Sequence, residues 1–393
     1  MNQTVKQFIQ DHEADMIEMR RHLHRNPELS LEEFETTRYI ANQLDQLGLD
    51  YRLMEPTGVM TEIKGTQPGK TVLLRADMDA LSIHELNDHL DYQSQNEGKM
   101  HACGHDAHVA MLMMALKALL SVKDSIKGTV RFIFQPAEEI GKGAKLMIEQ
   151  GVLDGVDNAF GIHIWSMDQA GLVNCNIGPT FAATDRFYVH FKGSGGHAAQ
   201  PHLTKDAVVM VSQYISQVQN IISRAIDPME SAVLTIGKVE AGDRFNIIAE
   251  NTKLEGTVRT FDAATRDTVE NEMHRFAEKI ATMYGGTVEF IYDRLLDPVV
   301  NERHSAELVH RITKESFGEE FVGNFPPKMV GEDFGEYNNH IPGAFATVGA
   351  RSETNGAIYP HHHARFNVDE ESLKVGAELY AQYALEYLNQ ADF

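Results

Sequence analysis

The chain has 393 residues and a formal net charge of -22, from 35 basic and 57 acidic side chains; a chain this acidic is repelled by phosphate backbones and anionic lipid, which sets aside nucleic acid and membrane partners. Its 42% hydrophobic and 23% charged content is globular, and its length exceeds what one hydrophobic core ordinarily serves, so two domains are expected. Only two cysteines, Cys103 and Cys175, are present, too few for a disulfide framework; with no secretory leader in view, a reducing, cytoplasmic location is expected.

Val5, Phe8, Ile9, Met16, Met19 and Leu23 fall on one helical stripe, and Phe34, Ile40, Leu44 and Leu47 on a second. This predicts two amphipathic helices before Gly48, which closes the second. Strands follow at Val59–Ile63 and Val72–Leu74, the latter a continuous apolar run suited to the middle of a covered sheet. The run from Val109 to Val122 carries Lys117 and is too short to span a bilayer; it reads as part of a buried helix from His105 to Leu120. A strand over Thr129–Phe134, a helix over Ala144–Glu149 and a strand over Ala159–Ile164 complete an alternation that implies an α/β domain with a largely parallel sheet.

The pattern changes at Thr184. A strand (Phe187–Phe191), helix (Asp206–Ala225), strands (Ala232–Val239, Lys253–Phe261), helix (Thr265–Tyr284) and strand (Thr287–Tyr292) make the order βαββαβ, the split unit of a ferredoxin-like sandwich. After Asp297-Pro298 the earlier pattern resumes with a helix near His304–Ser316, a strand at Phe345–Val348 and a final helix over Glu370–Leu388. The expected fold is an α/β domain with a mixed, largely parallel sheet, formed by residues 1–183 and 297–393, with an α+β satellite inserted at 184–296.

The chemistry concentrates in Met100–His108, where a thiol, three imidazoles and a carboxylate share nine residues. Cys103 and His105 are two apart, so an extended backbone would send both side chains from one face toward one ion. Thiolate with imidazole suits zinc or another first-row ion better than calcium or magnesium. Most of the 19 histidines are expected to be ordinary surface or core residues. Glu138 and Glu139 follow Phe134-Gln135-Pro136-Ala137 at a strand end, where ligands bind in α/β sheets. One carboxylate there can hold metal while its neighbour stays available as a base; the plainer alternative, decoration of a helix N-terminus, is outweighed by the strand before them. His163 lies in another apolar strand, where a lone His is more often a hydrogen-bonded core residue. His361, His362 and His363 follow Pro360 in a loop-like segment. Together these segments carry enough ligands for two ions sharing a bridge.

Several segments extend this pattern: Arg21 to Ser30, Arg75-Ala76-Asp77-Met78-Asp79-Ala80-Leu81, Met100 to His108, Phe134 to Glu139, Gly161 to Trp165, Gly195-Gly196-His197-Ala198-Ala199 and Gly331-Glu332-Asp333-Phe334. With them the chain resembles, over nearly its whole length, the amidohydrolase branch of the dinuclear metallopeptidases: aminoacylases, hippurate hydrolases, indole-acetyl-amino-acid hydrolases and N-acetyldiaminopimelate deacetylases. The resemblance implies two divalent ions per subunit, manganese or zinc first, with cobalt and nickel open. Cys103, His105, Glu139, His163 and His362 match the ligands, with Cys103 bridging, and Glu138 matches the general base. His362 is chosen because it stands four before Phe366; Ala364 replaces the family's usual Pro, so His361 and His363 stay open. Asp77 and Asp79 match supporting positions, and His108, one turn after His105, a structural one.

The same resemblance assigns His197 to the oxyanion, and Asn246 and Arg259 to the free carboxylate of the substrate. It implies hydrolysis of a small-molecule N-acyl amino acid of acetyl or benzoyl type, and a homodimer through the satellite, which serves as a dimerisation and lid domain. Three rivals are weighed: Cys103 as the nucleophile of a thiol amidase, a non-catalytic metal-binding protein, and a dipeptidase or aminopeptidase acting on true peptides.

Overall fold

The computed structural model describes residues 1–390. The chain forms two compact units, one from Met1–Thr180, Val300–Pro326 and the chain from Asp333, the other from Phe181–Val299 and Pro327–Glu332.

The first unit is built on a seven-stranded sheet in the order Tyr51–Leu53, Val59–Lys64, Lys127–Gln135, Gln67–Asp77, Asn158–Gln169, Gly343–Arg351 and Val173–Asn174. The four strands from Lys127–Gln135 to Gly343–Arg351 run parallel, and the outer strands pair antiparallel. Val72, Leu73 and Leu74 are fully buried, as a strand covered on both faces requires. Helix His105–Ser121 is apolar nearly all round because it lies inside the unit. It packs on the closing helix Glu371–Asn389, where a Cβ on Gly376 would stand 2.1 Å from the Met111 sulfur. Parallel pairing sets Asp77 opposite Gln135 and Arg75 opposite Gly161, so the carboxyl ends of three strands reach one edge with Asp77, Gln135 and His163 close to level.

The N-terminal stripe divides into two helices, Gln3–Asp11 and Glu13–Arg25, instead of one. The break is at His12, whose ring stacks on Phe8 and bonds back to the Phe8 carbonyl. Ile9 and Met16 are both buried seven residues apart, so the apolar period runs through the break and conceals it. Phe34, expected in the core of the next helix, is 54% exposed. The next helix, Phe34–Gln46, is followed by Gly48 at φ +66, a left-handed residue past the helix end.

In the second unit four antiparallel strands lie in the order Ala232–Ala241, Asn251–Thr260, Ala183–Lys192, Thr287–Leu296. Ala183–Lys192 alternates, burying Phe187, Val189 and Phe191 in a cluster with Met210 and Tyr214 of helix Ala207–Asn220 and Val269 and Met273 of helix Ala263–Met283. The expected helix to Ala225 is regular only to Asn220 and ends in a wide turn over Ile221–Ala225. Among the described residues, no helix is long and apolar enough to cross a membrane.

Phe160, fully buried in the first unit, stacks on Tyr383 at 4.1 Å. Phe160→Ala is expected to cost about 3–5 kcal/mol, read as a lower urea midpoint; an unchanged midpoint would show that this stack does not join the sheet to its closing helix.

Candidate metal centre

Cys103 and His105 converge by a different route from the extended segment that their spacing suggests. Gly104 lies between them at φ +94, and His105 is the first residue of helix His105–Ser121. The left-handed turn bends both side chains inward, and a Cβ on Gly104 would stand 2.4 Å from the Ile164 side chain. Cys103 Sγ is 3.5 Å from His163 Nε2. His362 Nε2 is 3.5 Å from one Glu139 oxygen and His105 Nε2 is 3.9 Å from the other. Three overlapping groups have ligand atoms within 4.8 Å of one another: Cys103, His105 and His163; Cys103, Glu139 and His362; His105, Glu138 and Glu139. Cys103, His105 and Glu139 each belong to two of them, so the three groups form one continuous cluster.

The ring nitrogens show which imidazoles are available. His105 Nδ1 donates to Asp79 at 3.2 Å, leaving Nε2 buried without a hydrogen-bond partner. His163 gives Nδ1 to the Ile164 carbonyl, which turns Nε2 toward Cys103. His108 has both nitrogens engaged: Nδ1 with Asp77, and Nε2 accepting the Ile164 amide at 2.8 Å. It is structural for that reason. Within the late triplet, His361 Nε2 accepts the Ser166 amide, while His363 accepts the Arg365 amide and stacks on Tyr359. Of the three, His362, at φ +63 with its amide on the Ala102 carbonyl, is the one that faces Glu139.

Asp79 supports the arrangement from beneath. Beyond His105, it accepts the Glu138 amide at 3.2 Å, the Glu139 amide at 3.1 Å and the Ser30 hydroxyl at 2.7 Å. The turn that carries both glutamates begins at Ala137, at φ +56, and a Cβ on Gly143 would stand 1.7 Å from the Pro136 carbonyl. Beside it, Arg75 is fully buried between Asp77 and Asp333, each at 2.6 Å, and bonds Gln135 at 2.9 Å. Arg75, Gln135, Glu33 and Ser30 were not singled out by sequence reasoning; the available signal was a charge, Arg75, inside an apolar strand, which demands partners.

Burial opposes ionisation of Asp77, but Arg75, His105 and His108 hold it well below the usual carboxylate range. Burial pushes Glu139 up to about 7. It also drives His163 well below its ordinary value, with His108 and His361 adding to the effect, so this imidazole is neutral, the form that binds metal. The Cys103 thiol is raised by burial and then by Glu139; a bound cation reverses that preference. His105 Nε2 and Glu139 Oε1 are both buried without hydrogen-bond partners and face each other. Orphaned donors of this kind, with a thiol and carboxylate beside them, fit divalent first-row ions.

The other expected residues belong to the second unit. His197 lies in a short pairing of Gly196–His197 with Ile247–Ile248, and the Ala198 amide bonds the Asn246 carbonyl at 3.1 Å. The His197 residue is exposed, with Nδ1 on the Ala199 amide. Arg259, on strand Asn251–Thr260, bonds the Val258 carbonyl at 3.0 Å and the Thr257 hydroxyl.

Comparison with known proteins gives concordant matches. The model of peptidase family M20/M25/M40 matches residues 73–386. The chain is 38% identical over 390 residues to thermostable carboxypeptidase 2 of Saccharolobus solfataricus, covering 98% of each. It is 40% identical over 321 residues to an N-acyl-L-amino acid amidohydrolase of Geobacillus stearothermophilus, covering 80% of this chain and 86% of the relative. Among solved structures, the Bacillus subtilis YXEP protein, a dinuclear metal binding peptidase, superposes with a TM-score of 0.86 at 36% identity, covering 96% of this chain and 99% of that one.

Asp79→Asn replaces an acceptor of four hydrogen bonds with an amide that must oppose some of those donors. Metal affinity is expected to fall about 10–100-fold in titrations against a competing chelator. Parent-like affinity would show that Asp79 does not orient the ligands.

Proposed function

Because the chain belongs to peptidase family M20/M25/M40, we propose that it is a metal-dependent amidohydrolase that splits N-acyl amino acids into a carboxylic acid and a free amino acid. The observation that carries this reading is Glu138, whose carboxylate stands within 4.8 Å of the ligand atoms of His105 and Glu139 while its amide is held by Asp79. A non-catalytic metal-binding protein has no use for such a group.

Cys103, His105, Glu139, His163 and His362 are the proposed ligands of two divalent ions, manganese or zinc, with Cys103 shared. Such ions supply polarisation of the amide carbonyl and acidification of the attacking water. Glu138 takes the proton from that water and later delivers it to the departing amine nitrogen. His197 is assigned to the developing oxyanion, and Asn246 and Arg259 to the substrate's carboxylate; an imidazole donor and a guanidinium fork suit those charges.

The second unit reads as a ferredoxin-like satellite that serves as lid and pairing surface in a cytoplasmic homodimer. Support comes from its sheet, where the unit's fourth strand lies beside its first, then its third, then its second. A carboxypeptidase reading is favoured by one observation, the match to thermostable carboxypeptidase 2 over 98% of this chain. The two readings share chemistry, since a peptide's last residue is an amino acid acylated on nitrogen. The cysteine-nucleophile reading is opposed by burial, which pushes the Cys103 thiol up and away from the reactive thiolate.

Glu138→Gln is expected to keep its metal while kcat drops about 10²–10⁴-fold. Loss of metal in that variant would make Glu138 a ligand and reverse its role with Glu139. A panel of acetyl, benzoyl and longer acyl amino acids beside dipeptides and longer peptides should show turnover of acyl amino acids that chelation abolishes and metal restores. Turnover confined to peptides would select the carboxypeptidase reading, and activity that survives chelation would select the thiol enzyme.

A further inference from the structure

The turn ahead of Glu138 is held by a carboxylate at a helix start that leaves its own helix uncapped. Glu33 stands immediately before helix Phe34–Gln46, where a side-chain oxygen ordinarily turns onto the first free amides. Its side chain makes no such bond. Glu28 takes those amides instead, accepting from Glu35 N at 3.1 Å and Thr36 N at 2.8 Å. Glu33 is thereby left to reach elsewhere. Fully buried, it accepts the Ala137 amide at 2.9 Å through one oxygen and the Thr57 hydroxyl at 2.6 Å through the other.

Ala137 sits at φ +56, a conformation that residues with a Cβ adopt only where their surroundings hold them. With Asp79 on the next two amides, the consecutive N–H groups of Ala137, Glu138 and Glu139 each end on a carboxylate. Both carboxylates are tied to the same N-terminal segment: Ser30 donates to Asp79, and the Ala80 amide bonds the Glu28 carbonyl at 2.8 Å. The stretch Glu28 to Glu33 therefore forms a strap beneath the turn, which explains why chemistry-bearing residues gather so far upstream of the ligands.

We propose that Glu33 is a positioning residue, whose carboxylate locks Ala137 in its left-handed turn and so aims the Glu138 carboxylate. This rests on the reading of Glu138 as the base. A buried brace that served stability alone would also accept two hydrogen bonds, so the test separates aim from stability.

Glu33→Leu, Glu33→Gln and Thr57→Val are compared with the parent chain for metal content, steady-state kinetics on an N-acyl amino acid, and amide exchange over residues 136–142. In Glu33→Leu, kcat should fall about 100-fold with KM within about threefold, metal content at saturation unchanged and faster exchange in that segment. Glu33→Gln still offers an oxygen to Ala137 and should recover at least about tenfold of the loss. Thr57→Val, which frees one side of the carboxylate, should lower kcat in the same direction by less. A folded Glu33→Leu with kcat within about threefold of the parent overturns the proposal, as does a loss that excess metal restores, which would place the effect on Glu139. If Glu33→Leu does not fold, parent-like kcat and exchange in Thr57→Val overturn it. If the parent chain cleaves no N-acyl amino acid, the functional reading fails. Exchange then decides alone: lost protection over residues 136–142 supports the strap, and unchanged protection overturns it.

Discussion

Asp79 receives hydrogen bonds from a helix start, from two amides of a turn and from an upstream serine, and the geometry of the candidate centre depends on that convergence. These segments are distant in sequence and share no regular hydrogen bonding that would fix their separation. One buried carboxylate touches them all, with Glu33 on Ala137 and the Ala80–Glu28 backbone bond as further ties; each N–H or O–H that it accepts would otherwise lie in an interior without water. His105 is thereby committed to present Nε2 inward, and the two glutamates keep a common backbone anchor with carboxylate oxygens within 4.8 Å of each other. Two carboxylates adjacent in sequence are thus anchored alike, each by its own backbone amide.

Charge is arranged in two tiers. Arg75, enclosed by Asp77, Asp333 and Gln135, answers the deeper acids, and Asp77 in turn fixes His108. Nearer the opening the balance differs: the Cys103 thiol and the Glu139 carboxyl are both raised by burial, and His105 has a nitrogen without a partner. Protein alone leaves this upper tier unsatisfied. A divalent cation converts the same burial from a penalty into a source of affinity, since its field acts through a medium that screens poorly.

Much of the α/β framework was legible because its signals are local. Val72–Leu74 announced a covered strand, the run after His105 a buried helix, and Gly48 a helix end, and each arises from a few adjacent residues. The break at His12 was hidden because the apolar period continues across it. The ligand candidates were visible as residue types, but the route by which Cys103 and His105 converge was not, since it depends on a φ that only glycine signals. The long-range pairing of Arg75, Glu33 and Ser30 was hidden for another reason. Their partners lie 258, 104 and 49 residues away, and no periodicity encodes such pairs.

The insertion has a consequence for biogenesis. The second unit is nearly continuous in sequence, from Phe181 to Val299 with a short return at Pro327–Glu332, so its sheet can close while the chain is still emerging from the ribosome. The first cannot: strand Asn158–Gln169, already beside Gln67–Asp77, lacks its second parallel neighbour until Gly343–Arg351 has been made, and loop closure across that span is slow. Until then it carries an open, apolar sheet edge, the kind of surface that chaperones cover and that nascent chains use to aggregate. Synthesis therefore leaves the larger unit waiting on the smaller one, and the last strand to arrive is the one that seals it.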